Sequence, residues 1–319
     1  MQLIVYPTNR CNLRCKHCTV NKDFPVDLTD QDIDIIASWD ITKVGILGGE
    51  PYLLGDRLPK IVDKFNVPVT IYTNGTLVND DNVIPDVNYC VSIDGWREYH
   101  DYLRGEGMFQ KAITALELLH NHLGEIRSLW IRMTYNNDNW RDISKLYDKA
   151  QSLGNVSLLL HPEVGIGLKP LDEDVQLGLF KFAASHDDVV ILQPHFWQFC
   201  GYEKSTCPAG IYRLAVDEHG NVKPCQWITE TIGNIHTDTY EELLEKGRNW
   251  HYDYGSYIEP SCTFCDRKDT CRSGCRMCSD TQTCPLRNRI SASTFYSGNE
   301  LKKINIKHSP LSKVGIVGC

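Results

Sequence analysis

Short apolar runs and amphipathic stretches alternate along the first 192 residues of the chain. The runs that are rich in β-branched and other apolar residues predict strands over Leu3–Tyr6, Lys43–Leu47, Val67–Tyr72, Tyr89–Ile93, Ser128–Thr134 and Val156–His161. The stretches between them have apolar residues at helical spacing and predict helices over Thr29–Trp39, Arg57–Phe65, Phe109–His122, Trp140–Leu153 and Asp172–Ser185. Thr29 and Asp32 stand at the spacing of a capping box before the first helix.

Repeated strand–helix units of this length imply an α/β fold with a parallel sheet, either doubly wound or curled towards a barrel. We favour the curled sheet, a partial TIM-like barrel of the (β/α)6 type with fewer strands than a closed barrel. In both arrangements the loops after the strands gather on one face, where ligands bind. Residues 11–18, 48–51, 73–75 and 94–95 follow the first four strands, so they are expected to share one mouth.

The character of the chain changes after about residue 195, where loops and cysteines dominate. Residues 212–216 and 222–225 predict a hairpin with Gly220 in its turn, and residues 239–248 predict a short helix. We therefore divide the chain into a barrel domain of residues 1–192, a small cysteine-rich domain of residues 193–290, and a C-terminal tail of residues 291–319. Residues 285–319 have too little apolar material to fold alone.

Composition narrows the class of protein. Hydrophobic residues make up 42% of the chain and charged residues 23%, as in an ordinary globular protein. The net charge of −8 argues against binding to nucleic acid. No apolar run is long enough to span a bilayer and no signal peptide is apparent, so we expect a cytoplasmic protein without membrane contact. In that compartment the 14 cysteines favour metal ligation over disulfides.

Cys11, Cys15 and Cys18 place three thiols within eight residues, directly after the first predicted strand. Closed zinc sites and ordinary iron–sulfur clusters usually take four protein ligands. A loop with three thiols therefore either takes a ligand from elsewhere or leaves one coordination position open for chemistry.

The C-x3-C-x2-C spacing, together with Gly48-Gly49-Glu50-Pro51 after the second strand, resembles the radical S-adenosylmethionine (radical SAM) enzymes. The resemblance implies that Cys11, Cys15 and Cys18 hold a [4Fe-4S] cluster whose fourth iron is chelated by S-adenosylmethionine. An electron from a flavodoxin- or ferredoxin-type donor then cleaves the cofactor, and the resulting 5′-deoxyadenosyl radical removes a substrate hydrogen atom. It further implies that Glu50 accepts a hydrogen bond from the methionine ammonium group and that His17 stacks beside the adenine.

Other residues at the predicted mouth are cofactor candidates by the same resemblance or by their position. Ser92 and Asp94 could bind the cofactor ribose, although an Asp-Gly pair after a strand is equally a plain turn. Asn74 has the same status. Thr134, His161 and Glu163 end the fifth and sixth strands and are candidates by topology. Asp101 and Arg104 are most simply a local ion pair, and Cys90 is a buried core thiol.

The later cysteines resemble the SPASM extension of the same family, which carries two auxiliary [4Fe-4S] clusters and would bring the total to three. The resemblance assigns the first auxiliary cluster to Cys200, Cys207, Cys225 and Cys275. It assigns the second to Cys262, Cys265 and Cys271, with Cys284 as the fourth ligand and Cys278 and Cys319 as rivals. A pair of zinc sites is the alternative. Sulfatase-maturing relatives have an Asp after the third ligand of the first auxiliary cluster, whereas this chain has Gln226, an amide that cannot act as a base.

The resemblance favours modification of a ribosomally made peptide or protein, by a crosslink, a thioether, epimerisation or dehydrogenation. The chain begins at its first strand, so we expect a separate protein to bind any leader peptide. Radical oxidation or rearrangement of a small metabolite, such as a sugar, cyclitol or porphyrin, is the alternative enzymatic function. A non-catalytic metal-binding scaffold is the alternative from another class.

Overall fold

A computed structural model of the chain describes residues 1–123, 128–163, 171–192, 207–255 and 263–265. These residues form one sheet of ten strands together with seven α-helices. No helix in the described ranges is both long and apolar enough to cross a membrane.

The sheet contains the six strands that the sequence predicts, and it extends them on both sides. In chain order the strands are β1 (Gln2–Val5), β2 (Lys43–Ile46), β3 (Val69–Thr73), β4 (Asn88–Ser92), β5 (Leu129–Tyr135), β6 (Val156–Pro162), β7 (Val189–Ile191), β8 (Arg213–Val216), β9 (Asn221–Lys223) and β10 (Gly233–Asn234). Their order in the sheet is β10-β9-β8-β1-β2-β3-β4-β5-β6-β7. Neighbours from β8 to β7 are parallel, and the β8–β9 and β9–β10 pairs are antiparallel.

Two strands of the parallel part differ from the expectation. β7 has three residues, which is too short for a recognisable pattern. β8 forms the predicted hairpin with β9, but it also pairs in parallel with β1, where Gln2 lies opposite Arg213. Residues 213–234 therefore belong to the same sheet as the N-terminal strands. The division of the chain at residue 192 stays a prediction.

The α-helices are α1 (Asp30–Ala37), α2 (Arg57–Val62), α3 (Arg97–Arg104), α4 (Met108–Leu123), α5 (Ile143–Leu153), α6 (Glu173–Ser185) and α7 (Tyr240–Gly255). The capping box of α1 is confirmed, because the Thr29 side chain accepts from the Asp32 amide and the Asp32 side chain from the Thr29 amide. The sequence did not predict α3, a largely polar helix that buries little more than His100 and Leu103. It also ended α7 too early, at residue 248.

The core lies along the sheet, where the parallel strands are covered on both faces. Val5, Ile46, Ile71, Val91 and Ile131, one from each of the first five strands, have no exposed surface. Such strands lack the in–out alternation of a half-exposed sheet. The buried charged or titratable residues depart from this pattern, and Glu50, Asp94 and His161 lie at or just after the carboxyl ends of strands. Burial of polar groups without a packing reason marks this edge as the functional one.

Candidate active site

A cavity opens at the carboxyl ends of the parallel strands. It has an empty volume of about 970 Å³, part of it open to solvent, which is within the range of ligand sites. The residues that the sequence singled out and that line this cavity are Cys11, Cys15, His17, Cys18, Gly48, Gly49, Glu50, Asn74, Ser92, Thr134, His161 and Glu163. Pro51 starts a 3-10 turn behind the wall, and Asp94 is fully buried beneath it. The predicted common mouth therefore brings together residues from six strand ends.

The loop that carries the three cysteines, residues 7–27 and called here the cysteine loop, is fastened at its two ends. The Asn9 side-chain amide donates to the Phe24 carbonyl oxygen at 2.8 Å. The Arg10 guanidinium binds both carboxylate oxygens of Asp27, at 2.9 and 2.6 Å. Burial alone would raise the pKa of Asp27, but the bonds from Arg10 outweigh it and hold that pKa below its usual range. The cysteines thus project from a closed loop.

Gly48 and Gly49 allow the loop after β2 to lie directly against the cysteine loop. A Cβ on Gly49 would be 2.0 Å from the Arg10 carbonyl oxygen, and one on Gly48 would be 2.2 Å from the Thr8 carbonyl oxygen. The Gly49 amide donates to Thr8 at 2.9 Å and the Glu50 amide to Arg10 at 2.7 Å. No side chain fits at either glycine, so this pair fixes the distance between the cysteines and Glu50.

Glu50 is buried and its carboxylate is oriented by three donors. Oε1 accepts from the Thr73 hydroxyl at 2.7 Å and from the Tyr52 amide at 3.3 Å, and Oε2 accepts from the Asn74 amide at 2.7 Å. Burial raises the pKa of Glu50, while these hydrogen bonds and the charge of Arg104 act against the rise. A cationic ligand at this carboxylate would favour its ionised form.

The side chain of Asn74 links two loops. Its Nδ2 donates to Oδ1 of Asn12 on the cysteine loop at 3.0 Å, and its Oδ1 accepts from the Thr76 amide at 2.9 Å. Asn12 in turn donates to the Thr76 hydroxyl at 2.7 Å. Asn74 therefore holds the cysteine loop against the end of β3 in addition to lining the cavity.

Asp94 is the centre of a buried charge network under the cavity wall. Its Oδ2 lies 2.6 Å from Nε of Arg104 and 3.4 Å from Nε2 of His17, and its Oδ1 accepts from the Thr134 amide at 2.9 Å. Burial alone would raise the pKa of Asp94, but Arg104 and His17 hold it well below the usual range. Burial also lowers the pKa of His17, against the attraction of Asp94.

The expected pair between Asp101 and Arg104 is wrong. Arg104 reaches from the end of α3 to Asp94 and also lines the cavity. Asp101 instead accepts backbone hydrogen bonds from Gly107 at 3.1 Å and Phe109 at 2.7 Å, at the start of α4. Arg104 is thus a site residue that sequence spacing assigned to a local role.

His161 and Glu163 lie side by side at the end of β6, in different environments. The His161 ring stacks on Trp227 with centroids 4.5 Å apart, and its Nδ1 lies 2.6 Å from the Pro162 carbonyl oxygen. Burial lowers the pKa of His161 to about 3, so the ring is neutral at physiological pH and a poor base. Glu163 accepts from the Asn136 side-chain amide at 2.8 Å through Oε2.

Arg132 and Trp227 line the cavity and were missed by the sequence analysis. Arg132 precedes Thr134 by two positions in β5, so strand alternation puts both side chains on the same face. Strand alternation could therefore have identified Arg132 from the sequence. Trp227 follows β9 and reaches the cavity only because β8 joins the sheet beside β1, which no local pattern indicates.

The three thiols of the cysteine loop share the cavity wall, and none of the described cysteines is in a disulfide. Burial raises the pKa of the Cys11 and Cys15 thiols, against the nearby positive charges of Lys22 and Arg104. Within the described ranges, no three His, Cys, Asp or Glu side chains converge closely enough to hold a metal ion. The thiol side chains would therefore have to turn towards one another to share a cluster.

Cys207 and Cys225 lie together in a second, smaller core with Ile228 and Trp250. Burial raises the pKa of Cys225, and its thiol donates to Oε1 of Gln226 at 3.2 Å. Cys265 is half-buried. The other predicted auxiliary ligands lie outside the described residues: Cys200, Cys262, Cys271, Cys275 and Cys284, with the rivals Cys278 and Cys319.

The structure thus combines a parallel α/β sheet with a loop of three thiols after its first strand and a buried carboxylate after its second. This combination is typical of a domain that binds a cofactor. Residues 5–150 match the sequence model of the Radical SAM superfamily.

Two curated relatives extend the comparison. The Fe-coproporphyrin III synthase of Methanosarcina barkeri is 31% identical over 187 residues, which cover 53% of this chain and 46% of that protein. The chain thus spans about half the length of this relative. The cysteine-type anaerobic sulfatase-maturating enzyme of Clostridium novyi is 25% identical over 346 residues, which cover 86% of this chain and 88% of that protein.

Among solved structures, anSMEcpe with bound AdoMet and the Kp18Cys peptide superposes with a TM-score of 0.68. The match covers 97% of this chain and 97% of that chain, at 21% identity. At this identity the similarity shows a common fold.

Proposed function

We propose that the chain is a cytoplasmic radical SAM enzyme of the SPASM group, with the sheet curled into a partial (β/α)6 barrel. The observation that carries the proposal is that Cys11, Cys15, Cys18 and Glu50 line one cavity at the carboxyl ends of parallel strands. Three thiols and one oriented carboxylate suit a cluster with an open iron position and a cationic amino group next to it. The donor set therefore fits the cofactors that the family uses.

In this proposal each residue has a defined task. Cys11, Cys15 and Cys18 hold the [4Fe-4S] cluster, and Glu50 binds the ammonium group of S-adenosylmethionine. When bound, these cofactors supply a 5′-deoxyadenosyl radical that removes a hydrogen atom from the substrate. Ser92 is our candidate for the ribose. Asp94 already uses both oxygens, so we assign it to holding Arg104 and His17 in position.

The remaining cavity residues would shape the other half of the site. Thr134 and His161 line its wall, and the stacked rings of His161 and Trp227 exclude water from the reacting atoms. Asn74 holds the cysteine loop beside Glu50. Glu163, with one oxygen outside its bond to Asn136, is the better candidate than His161 for taking a proton from the substrate, because the neutral His161 ring is a very weak base.

A peptide or protein is our first candidate substrate. It is supported by the sulfatase-maturating relative and by the fold shared with a structure that holds a peptide beside AdoMet. In that case we propose that a separate leader-binding protein delivers the peptide. A porphyrin side chain is the second candidate, because the Methanosarcina barkeri relative is a Fe-coproporphyrin III synthase.

We further propose two auxiliary [4Fe-4S] clusters, the first held in part by Cys207 and Cys225, which already share one small core. Electrons would come from an acidic flavodoxin- or ferredoxin-type donor. The cysteine loop offers it a positive surface through Arg14 and Lys16, both exposed, and the half-buried Lys22. In a chain of net charge −8 this local excess of cations would attract such a donor.

The test is the reductive cleavage of S-adenosylmethionine by anaerobically reconstituted protein with dithionite. Wild type and the core-thiol control Cys90→Ala should form 5′-deoxyadenosine, and Cys15→Ala should form none. Formation by Cys15→Ala would refute the assignment. Iron content tests the number of clusters, since three [4Fe-4S] clusters require about 12 irons per chain. A non-catalytic metal-binding scaffold would instead hold zinc and lack the brown chromophore.

Substrate class is tested separately with deuterated candidates. Deuterium transfer into 5′-deoxyadenosine from a peptide encoded beside this gene would support the first candidate. Transfer from coproporphyrin, with none from the peptide, would refute it in favour of the second.

A further inference from the structure

Arg132 is a cation in the cavity wall that has no carboxylate partner among the residues that the structure describes. Two acidic residues line the cavity with it, Glu50 and Glu163. Glu50 is engaged by Thr73 and by backbone amides, and Glu163 by Asn136. In the described part of the chain no ion pair includes Arg132, and its buried Nε has no hydrogen-bond partner. Arg104, the other arginine of the cavity wall, differs because its guanidinium forms an ion pair with Asp94.

The guanidinium is instead surrounded by aromatic rings. Its Cζ lies 5.1 Å from the Trp227 ring centroid and 5.8 Å from the Tyr72 ring centroid. Contacts of this kind stabilise a cation and fix the plane of the guanidinium, but they use none of its N–H donors. Arg132 is therefore held in place while its buried Nε–H donor has no acceptor among the described residues. Leaving a buried donor unsatisfied has a cost that a bound acceptor removes.

Arg132 lies on β5, whereas the three thiols and Glu50 follow β1 and β2. Its guanidinium lies over the ring of Trp227, which in turn stacks on His161. An anion bound at Arg132 would thus lie beside Trp227 and His161.

We propose that Arg132 binds a carboxylate group of the substrate, in bidentate fashion, and so selects substrates that carry an acidic group next to the reacting carbon. This inference rests on the proposed function for the identity of the reaction, and it adds the chemistry of the substrate. A planar guanidinium with free donors matches a carboxylate better than any neutral group. The carboxylate has three possible sources: an acidic side chain of a peptide, a peptide C-terminus, or a propionate of a porphyrin.

The experiment compares each carboxylate with its neutral counterpart, using holoenzyme in the presence of S-adenosylmethionine. The probes are an acetylated and amidated Gly-Glu-Gly tripeptide against Gly-Gln-Gly, acetylated Gly-Gly-Gly with a free against an amidated C-terminus, and coproporphyrin III against its methyl ester. Dissociation constants are measured by saturation-transfer NMR or fluorescence. The variants are Arg132→Gln and Arg132→Lys. Arg141→Gln is the matched control, because Arg141 also lies over an indole, 4.7 Å from the Trp140 centroid, but outside the cavity.

We expect wild type to prefer at least one carboxylate probe over its neutral counterpart by about tenfold or more, as for other charge-assisted pairs. The pair that shows the preference identifies the source. Arg132→Gln should lose the preference, Arg132→Lys should keep part of it, and Arg141→Gln should keep all of it.

Three results would overturn the proposal: no preference in wild type for any pair, an undiminished preference in Arg132→Gln, or a loss of S-adenosylmethionine affinity in Arg132→Gln as large as the loss for the probe. The first does not depend on the folding of any variant. Measuring whether the same wild-type preparation forms 5′-deoxyadenosine distinguishes a failure of this inference from a failure of the proposed function. Cleavage without a carboxylate preference refutes this inference alone, and a preference without cleavage refutes the proposed function alone.

Discussion

Substitution of Gly49 by alanine isolates the contact between the cysteine loop and the loop after β2. The backbone of Gly49 does not lie in the left-handed region, so alanine adds no conformational strain, and the added Cβ is the whole perturbation. That atom would lie 2.0 Å from the Arg10 carbonyl oxygen and 2.5 Å from that of Asn9. Both neighbours are backbone atoms, which cannot turn aside as a side chain does.

The size of the effect follows from the bonds that must break. Ordinary carbon–oxygen contacts are about 3.3 Å or longer, so the two loops must separate by about 1 Å. The hydrogen bonds from Gly49 to Thr8 and from Glu50 to Arg10, now 2.9 and 2.7 Å, would then exceed bonding distance. At about 0.5–1.5 kcal/mol for each bond, the loss is about 1–3 kcal/mol. If it falls on cofactor binding, affinity decreases by about fivefold to a hundredfold.

The assay is the dissociation constant for S-adenosylmethionine on anaerobically reconstituted protein, with iron content measured in parallel. Gly154→Ala is the matched control, because Gly154 has φ +73° and no atom within 4 Å of an added Cβ. That variant carries backbone strain of about 1 kcal/mol without a contact, so it should lose some stability and keep its affinity. Normal affinity and iron content in Gly49→Ala would refute the argument that this glycine sets the geometry of the site.

Three further predictions concern buried ionisable groups. Asp94→Asn leaves Arg104 buried without its counter-charge, so the free energy of unfolding in urea at pH 7 should fall by about 3–5 kcal/mol; a loss below about 1 kcal/mol would contradict the ion pair. His100 accepts the Asp94 amide through Nδ1, and burial lowers its pKa from 6.5 to about 4. The unfolded state therefore takes up a proton first as pH falls, and stability should drop by about 2 kcal/mol between pH 7 and pH 5. His100→Asn should remove that part of the pH dependence, and an unchanged slope would show that another group causes it. Glu50→Gln should weaken S-adenosylmethionine binding by about tenfold or more at unchanged iron content, whereas equal affinity would exclude Glu50 as the ammonium ligand.

The strands and the shared mouth could be predicted because both depend on local sequence. Runs such as Val69–Thr73 are rich in β-branched residues and buried over their whole length, and parallel strands put their following loops on one face. The cysteine spacing likewise predicts three thiols in one loop. Boundaries were less exact: the helix predicted from Trp140 begins there as a 3-10 turn, and α5 starts at Ile143.

What the sequence did not predict depends on distant pairing. Arg104 lies three residues from Asp101, which suggested a helical ion pair, yet it binds Asp94 because the chain folds back between the end of β4 and α3. Arg132 could have been identified from its spacing to Thr134 in β5, but its lack of a hydrogen-bond partner at Nε among the described residues depends on distant contacts. The helix α3 was missed because its apolar stripe is very short.

The place of β1 in the sheet has a consequence for how the protein is made. β1 is synthesised before β8, one of its two neighbours in the sheet, and 211 residues separate the contacting residues Gln2 and Arg213. Until that segment has been synthesised, one edge of β1 exposes unpaired backbone groups. Closing so long a loop is slow, since its entropy must be lost before the new contacts form. The cysteine loop therefore follows a strand whose sheet stays incomplete until β8 has been synthesised, and Trp227 can join the cavity wall only after β8 has paired with β1.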